Sequence, residues 1–347
     1  MSEKRKIFPL GKLKHEFLSK MLKEHVSNTD IKDPRIRMGS KIGEDAAVID
    51  MGDEYLVSKT DPITFISDRI GYYAVNINVN DIVCTGATPK WFQSTILLPE
   101  KKTDENLIEK IFKDIHDTCQ SMNITVIGGH TEITSGLDRP IVVGSLLGEV
   151  EKEKLVLTSE AKPYDDIILT KGIFIEGTSI IGRLREDFLK REGYNEGFID
   201  KCKNYIYSPG ISVYKDALLA NNNYEISSMH DITEGGLFCG VVEMATASNI
   251  GVLIEEEKII ILPEPLELSK LFKLNPYGVI SSGSLLISTN KEISEDLVEF
   301  LNKHDIKAQI IGKFIPENNQ YTLVQNSNKS KPIIYSETDE ITKIFAF

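Results

Sequence analysis

Residues 67–89, SDRIGYYAVNINVNDIVCTGATP, alternate apolar and polar positions with helical spacing. Val75, Val79 and Ile82 fall at i, i+4 and i+7 and make an apolar stripe. Ala74, Asn78, Asp81 and Thr85 make a second stripe, small and polar, that holds one carboxylate. Ser67 or Asp68 can cap the start, Gly86 can close the end, and Pro89 stops continuation. A buried or half-buried Asp costs on the order of several kcal/mol unless a cation or a donor meets it. The pattern therefore asks what meets Asp81.

The same reading places a short helix over 13–26 and strands over 45–51, 54–61, 90–98, 124–128 and 140–149. An amphipathic helix runs from Thr103 to Met122, with Ile108, Ile111, Phe112, Ile115, Cys119 and Met122 on one face. The charged segment Glu151–Pro163 marks a boundary, giving an N-terminal domain over 1–155 and a C-terminal one over 160–347. The second half restarts with a strand at 166–170, then helices from Thr178 and over 195–206 and 211–221. A strand at 226–229, a helix through Val241, Met244 and Ala245, and strands at 285–288, 307–312 and 321–335 follow, with a helix through Ile293, Leu297 and Leu301. The class is α+β.

Composition narrows the function. A formal charge of −12 argues against nucleic acid or an anionic membrane as the main ligand. The basic start lacks an apolar core, so it does not read as a signal peptide, and no apolar run approaches the ~20 residues that span a bilayer. A cytoplasmic protein is expected. Cys84, Cys119, Cys202 and Cys239 are far apart and form no CxxC pair, which excludes a standard zinc ribbon.

Four acids sit at the ends or polar faces of apolar elements: Glu44 and Asp45 in GEDAAVI, Asp61 after Lys59-Thr60, and Asp81. Clustered carboxylates repel unless a divalent cation joins them, and hard oxygen ligands suit magnesium. On spacing alone they serve equally well as turn and capping residues. Gly128-Gly129-His130-Thr131-Glu132 leaves a strand, and two glycines there permit backbone N–H groups to approach a phosphate, or simply form a turn. His230-Asp231-Ile232-Thr233-Glu234-Gly235-Gly236 lies between a strand and a helix, which suits a phosphate–metal site or an N-capping Asp.

Taken in order, GEDAAVI, KTDPI, NVNDIVCTGATP, IGGHTE and HDITEGGL resemble the AIR synthase-related superfamily, which includes thiamine-monophosphate kinase, selenophosphate synthetase and the hydrogenase maturation protein HypE. The later KGIFIEGTSIIGR and PYGVISSGSLLIS segments look most similar to the HypE-like branch and extend the resemblance to about residue 288. The resemblance implies an α+β N-terminal domain that pairs in a homodimer, an α/β C-terminal domain, and ATP in a cleft at the pairing. It implies magnesium on Asp45, Asp61, Asp81 and Asp231, with Asp81 and Asp231 at the chemistry. Lys59, Thr60, Asn78, Gly128, Gly129, His130, Thr131, Glu132, Glu234, Gly235 and Gly236 would bind the nucleotide. The implied reaction uses an ATP phosphate to activate an oxygen of a small substrate, with a maturation protein as a further partner.

Three departures bear on this. Glu44 replaces the Asp usual in the first motif, which weakens its role as a ligand. No cysteine precedes Cys84, unlike the selenophosphate synthetases, and none follows Cys239, where HypE carries its carbamoyl-bearing thiol. ATP chemistry without tail carbamoylation is therefore expected. A thiamine-monophosphate kinase-like phosphotransferase and a non-catalytic ATP-binding assembly protein are the alternatives. A zinc hydrolase using His130, His230 and Asp231 is a distant fourth.

Overall fold

The structure is a computed structural model that describes residues 8, 13, 15–27, 33–41, 43–325, 329–336 and 338–346. Helix α1 (His15–Leu22) runs into a π turn at Lys23–Ser27. Strands β1 (Ile36–Met38), β2 (Ala47–Asp50) and β3 (Glu54–Ile63) precede helix α2 (Ile70–Cys84). Strand β4 (Thr88–Pro99), helix α3 (Glu105–Ser121), β5 (Thr125–Thr134) and β6 (Ile141–Glu151) follow. The six strands form one sheet in the order β1-β2-β3-β6-β4-β5, antiparallel except for β4–β5.

Strand β6 shows why one face of this sheet is filled. Val142, Gly144, Leu146, Gly148 and Val150 are buried, while the alternate residues are half-buried, as the two-residue period of a strand dictates. The buried face carries α2. A side chain at Gly144 would place its Cβ 2.3 Å from Asn78 Nδ2 and 2.9 Å from the Ala74 carbonyl, so the helix seats directly on the strand there. Strand β5 lies at the edge with every residue but Thr134 exposed, including Val126, Ile127 and Ile133.

Helix α2 has no solvent face. All of its residues except Tyr72 are buried, because α3 and the second half of the chain cover what the sheet does not. Asn80 makes that junction: its amide donates to the Ile211 carbonyl and accepts from the Val213 N–H. The expected start of the helix is corrected. Arg69, at φ 60°, occupies the cap position and no side chain caps the helix; Asp68 instead pairs with Arg183 at 2.9 Å. In α3, Asp104 caps the start through the Leu107 N–H, and Ile111, Ile115 and Cys119 are buried. Phe112, expected on that face, is exposed.

The second half contains β7 (Asp166–Thr170), α4 (Ile175–Leu184), α5 (Glu186–Arg191), α6 (Glu196–Lys203), α7 (Tyr214–Asn223), β8 (Ser228–Asp231) and α8 (Gly236–Ala247). It continues with β9 (Gly251–Glu255), α9 (Pro263–Leu271), β10 (Leu285–Thr289), α10 (Lys291–Lys303), β11 (Ala308–Ile315), β12 (Tyr321–Gln325) and β13 (Lys329–Pro332). Its seven strands run in the order β13-β12-β9-β11-β7-β10-β8. Only β9 and β12 pair in parallel, so the α/β expectation for this half is refined to helices packed on a mostly antiparallel sheet. Strand β9 and helix α9 are additions to the sequence reading. The chain thus has a two-part α+β fold.

Near the end of the chain Ile341 and Ile344 are buried and supply the packing, while Phe345 does not. Phe345 is exposed, and Phe347 lies outside the described residues. The seating of α2 is open to test. Gly144→Ala should cost about 1–3 kcal/mol, the usual penalty for overpacking, read as a lower denaturant midpoint. An unchanged midpoint would mean that α2 does not sit against β6 as described.

Candidate active site

Lys59 and Asp61 lie on the α2 side of β3, because they pair across to Leu146 and Gly144 on the filled face of β6. Lys59 Nζ meets Asp81 Oδ2 at 3.0 Å and Asp61 Oδ2 at 3.5 Å. Asp81 is 4% exposed, so the lysine is the cation that the sequence asked for. Burial drives Asp81 well above the usual carboxylate range; Lys59 pulls it down, and Asp231, Asp45 and Asp61 push it up. Burial opposes the charge on Lys59, but Asp81, Asp45 and Asp61 outweigh it and hold the ammonium protonated. One lysine shared among several acids leaves negative charge over.

The second half supplies the rest from the end of β8. His230 is buried, with Nδ1 3.1 Å from Asp45 Oδ2 and Nε2 3.1 Å from Glu243 Oε2. Burial disfavours its charge, yet the two carboxylates raise its pKa well above the ordinary value. Asp231 is 1% exposed and pushed up to about 6, first by burial and then by Asp45. Its Oδ2 is buried and meets no donor. Ligand atoms of Asp45, His230 and Asp231 all lie within 4.8 Å of one another.

An orphaned carboxylate oxygen in that cluster fits a divalent cation, which would give Asp231 the partner it lacks. Asp45, Asp81 and Asp231 offer the hard oxygens, and the half-exposed Asp61 stands beside Lys59. Asp45, Lys59, Asp61, Asp81 and His230 line a cavity of about 550 Å³ between the two halves of the chain, with Asp231 buried next to His230. Its wall also takes in Leu18 and Leu22 of α1, Glu176 and Ile180 of α4, and Ser282.

The remaining expected residues divide. Asn78 ties the helix to the strand, donating to the Ala74 carbonyl at 2.8 Å and the Asp61 carbonyl at 3.4 Å. Glu44 accepts the Thr158 and Ser159 N–H groups, so its carboxylate anchors backbone. Thr60 points to the opposite face of β3 from Asp61 and is exposed, its hydroxyl donating to the Gly144 carbonyl. Glu234 lines the cavity.

Two glycine pairs differ from expectation. Gly128 and Gly129 lie inside β5 rather than in a loop after it, because a Cβ at Gly129 would come 2.1 Å from the Ser94 carbonyl of β4. Asp61, Gly144, Ser94 and Gly129 stand in one row across the sheet, so Gly129 is three strand spacings, about 14 Å, from Asp61. His130 and Glu132 contact each other at 3.2 Å on the exposed edge strand, next to Thr131, and none of the three lines the cavity. Within one chain this separation also keeps His130 away from His230 and Asp231, the three residues of the expected zinc alternative. The Gly235 N–H donates to Asp339 Oδ2 and the Gly236 N–H to the Thr233 carbonyl, so both amides are engaged within the chain.

Sequence reasoning missed Glu243 and Glu176. Glu243 falls on α8 13 residues past His230, where only the turn from β8 into α8 brings the two together. Glu176 sits in the first turn of α4, where an acid reads as ordinary helix-terminus chemistry.

The site is a buried carboxylate–lysine cluster between two α+β halves, an arrangement suited to holding a metal-bound polyanion. The chain belongs to the AIR synthase related protein family: residues 43–150 match the family's N-terminal domain and 163–325 its C-terminal domain. It is 30% identical over 309 residues to a Methanocaldococcus jannaschii protein whose name assigns it provisionally to hydrogenase expression/formation, covering 87% of this chain and 88% of that one. Among solved structures, the hydrogenase maturation protein HypE in complex with ATP superposes with a TM-score of 0.70 at 18% identity, covering 93% of this chain and 96% of that chain. The thiamine-monophosphate kinase ThiL of Aquifex aeolicus, complexed with AMPPCP and TMP, gives 0.70 at 19% identity, covering 92% and 95%. Both structures show the fold.

Asp61→Asn should abolish most of the rise in melting temperature produced by Mg-ATP while leaving the melting temperature without ligand within a few degrees, since ligand stabilisation follows mass action. A full Mg-ATP shift in the variant would place the nucleotide elsewhere.

Proposed function

We propose that this protein is a magnesium- and ATP-dependent enzyme of the HypE-like branch, which uses an ATP phosphate to activate an oxygen of a small substrate. The observation that carries this reading is the orphaned, buried Asp231 carboxylate close to Asp45, where Asp45 and the Lys59–Asp81 pair line a cavity large enough for a nucleotide phosphate chain. Bound magnesium would neutralise the phosphate charge there, and phosphoryl transfer depends mostly on such neutralisation and on positioning. Asp45, Asp81 and Asp231 would hold the cation. Lys59 stays protonated among the acids and would orient a phosphate oxygen. His230, clamped by Asp45 and Glu243, fixes the Asp45 carboxylate toward the cluster.

The nucleotide site as expected includes the Gly128–Glu132 segment, which in one chain lies across the sheet from Asp61. A homodimer resolves the distance: the exposed β5 edge, with Val126, Ile127 and Ile133 uncovered, would pair with a second copy and present these residues to a shared cleft. A maturation partner protein belongs to the same reading, on the strength of the M. jannaschii relative's name.

Two measurements test this. Light scattering at micromolar concentration should give twice the subunit mass of 38.9 kDa; a monomer would remove the shared cleft. ATP turnover should require magnesium, and thiamine monophosphate should not accelerate it. Acceleration by thiamine monophosphate would instead favour the simple kinase, and binding without turnover would favour an assembly protein.

A further inference from the structure

The cavity has a second polar locus that the metal cluster does not use. Glu176 is the second residue of α4 and is 6% exposed, and Ser282 is fully buried. Both line the cavity and stand next to each other, the Ser282 hydroxyl close enough to pull on the Glu176 carboxyl, and neither Glu176 Oε2 nor Ser282 Oγ meets a donor or acceptor outside the pair. A buried carboxyl and hydroxyl that have only each other keep unused hydrogen-bonding capacity, which is costly, on the order of 1–3 kcal/mol, unless something met in function pairs with it.

The fold builds this pair deliberately. The Phe174 N–H donates to Ser281 Oγ at 2.6 Å, and the Gly177 N–H to the Ile280 carbonyl at 3.1 Å, so the start of α4 is stitched to the 280–284 loop. A Cβ at Gly177 would lie 2.5 Å from Val279 Cγ1, and its absence lets the two segments close. The other serines of the loop are spent: Ser281 and Ser284 bond each other at 2.6 Å, and Ser284 bonds the Gly172 carbonyl. Ser282 alone of the three is left facing the cavity. Ile77, Ile180 and Ile280 line the same cavity and give it an apolar component.

We propose that Glu176 and Ser282 form the acceptor subsite, and that the acceptor is a small molecule carrying an amino or amidino nitrogen whose N–H groups bind these two oxygens. The proposal rests on the phosphoryl-transfer reading and names the substrate class for it. A cation suits the locus because the buried Glu176 carboxyl has only the Ser282 hydroxyl beside it, and charge-assisted bonds from N–H donors are the strong ones. Burial, with Glu234 and Asp339 nearby, pushes Glu176 up to about 8, against the pull of the adjacent Ser282 hydroxyl; a cationic ligand would restore its charge.

The test uses full-length protein and three probes: methylamine, acetamidine and ethanolamine, with ethylene glycol as the nitrogen-free match of ethanolamine. Saturation-transfer NMR on the wild type should show binding by at least one nitrogen probe and none by the glycol. E176Q should weaken that binding at least about tenfold, the loss expected for one charge-assisted hydrogen bond, and S282A should weaken it less. Cooperative melting of each variant establishes that it is folded; should E176Q fail to fold, S282A and E176D carry the comparison. Absence of binding by all three probes, or equal binding by wild type and the folded variants, would overturn the proposal. The Mg-ATP melting shift of the wild type is read alongside. Its absence with amine binding intact would overturn the phosphoryl-transfer reading and spare the subsite, and the converse would do the reverse.

Discussion

The structure turns on a lysine–aspartate pair placed where water is scarce. Lys59 of β3 and Asp81 of α2 meet at 3.0 Å, on the face of a helix that both halves of the chain bury. Removing one partner of such a pair leaves a buried charge, at a cost of about 3–5 kcal/mol. The pair is nevertheless not self-sufficient, because Asp45, Asp61 and Asp231 crowd the same lysine. Burial of α2 is therefore what makes the site reactive toward cations. The packing that keeps Asp81 dry also keeps its neighbours from being satisfied by solvent.

Glycines allow this packing. At Gly144 the strand passes so near Asn78 that no side chain fits, and Asn78 in turn holds the Asp61 carbonyl. The second half reaches the same centre through Asn80 and through β8, whose last residues are His230 and Asp231. Each half thus contributes acids that need the other half's cation. The cavity between them follows from this arrangement.

Much of this was legible in the sequence. Asp81 on a small polar helix face, Asp61 at the end of an apolar strand and the order of five short motifs pointed to the fold and to four of the carboxylates that meet. The helix cap at Asp68 was misread because Arg183, 115 residues away, takes that carboxylate. Gly128 and Gly129 looked like a turn, since local sequence does not reveal that a neighbouring strand passes at Ser94. Glu243 and Glu176 gave no signal. Their roles depend on where a turn and a loop bring them, and an acid on a helix has the same local pattern whether it faces water or a cavity.

The most direct test of a cation-completed carboxylate cluster is anomalous X-ray scattering at the manganese edge, from crystals grown with manganese and a non-hydrolysable ATP analogue. The account predicts a manganese peak at coordinating distance from Asp81, Asp231 and Asp45, with the phosphate chain beside Lys59. Analogue bound in the cavity with no manganese at these carboxylates, or manganese bound only at other residues, would contradict it.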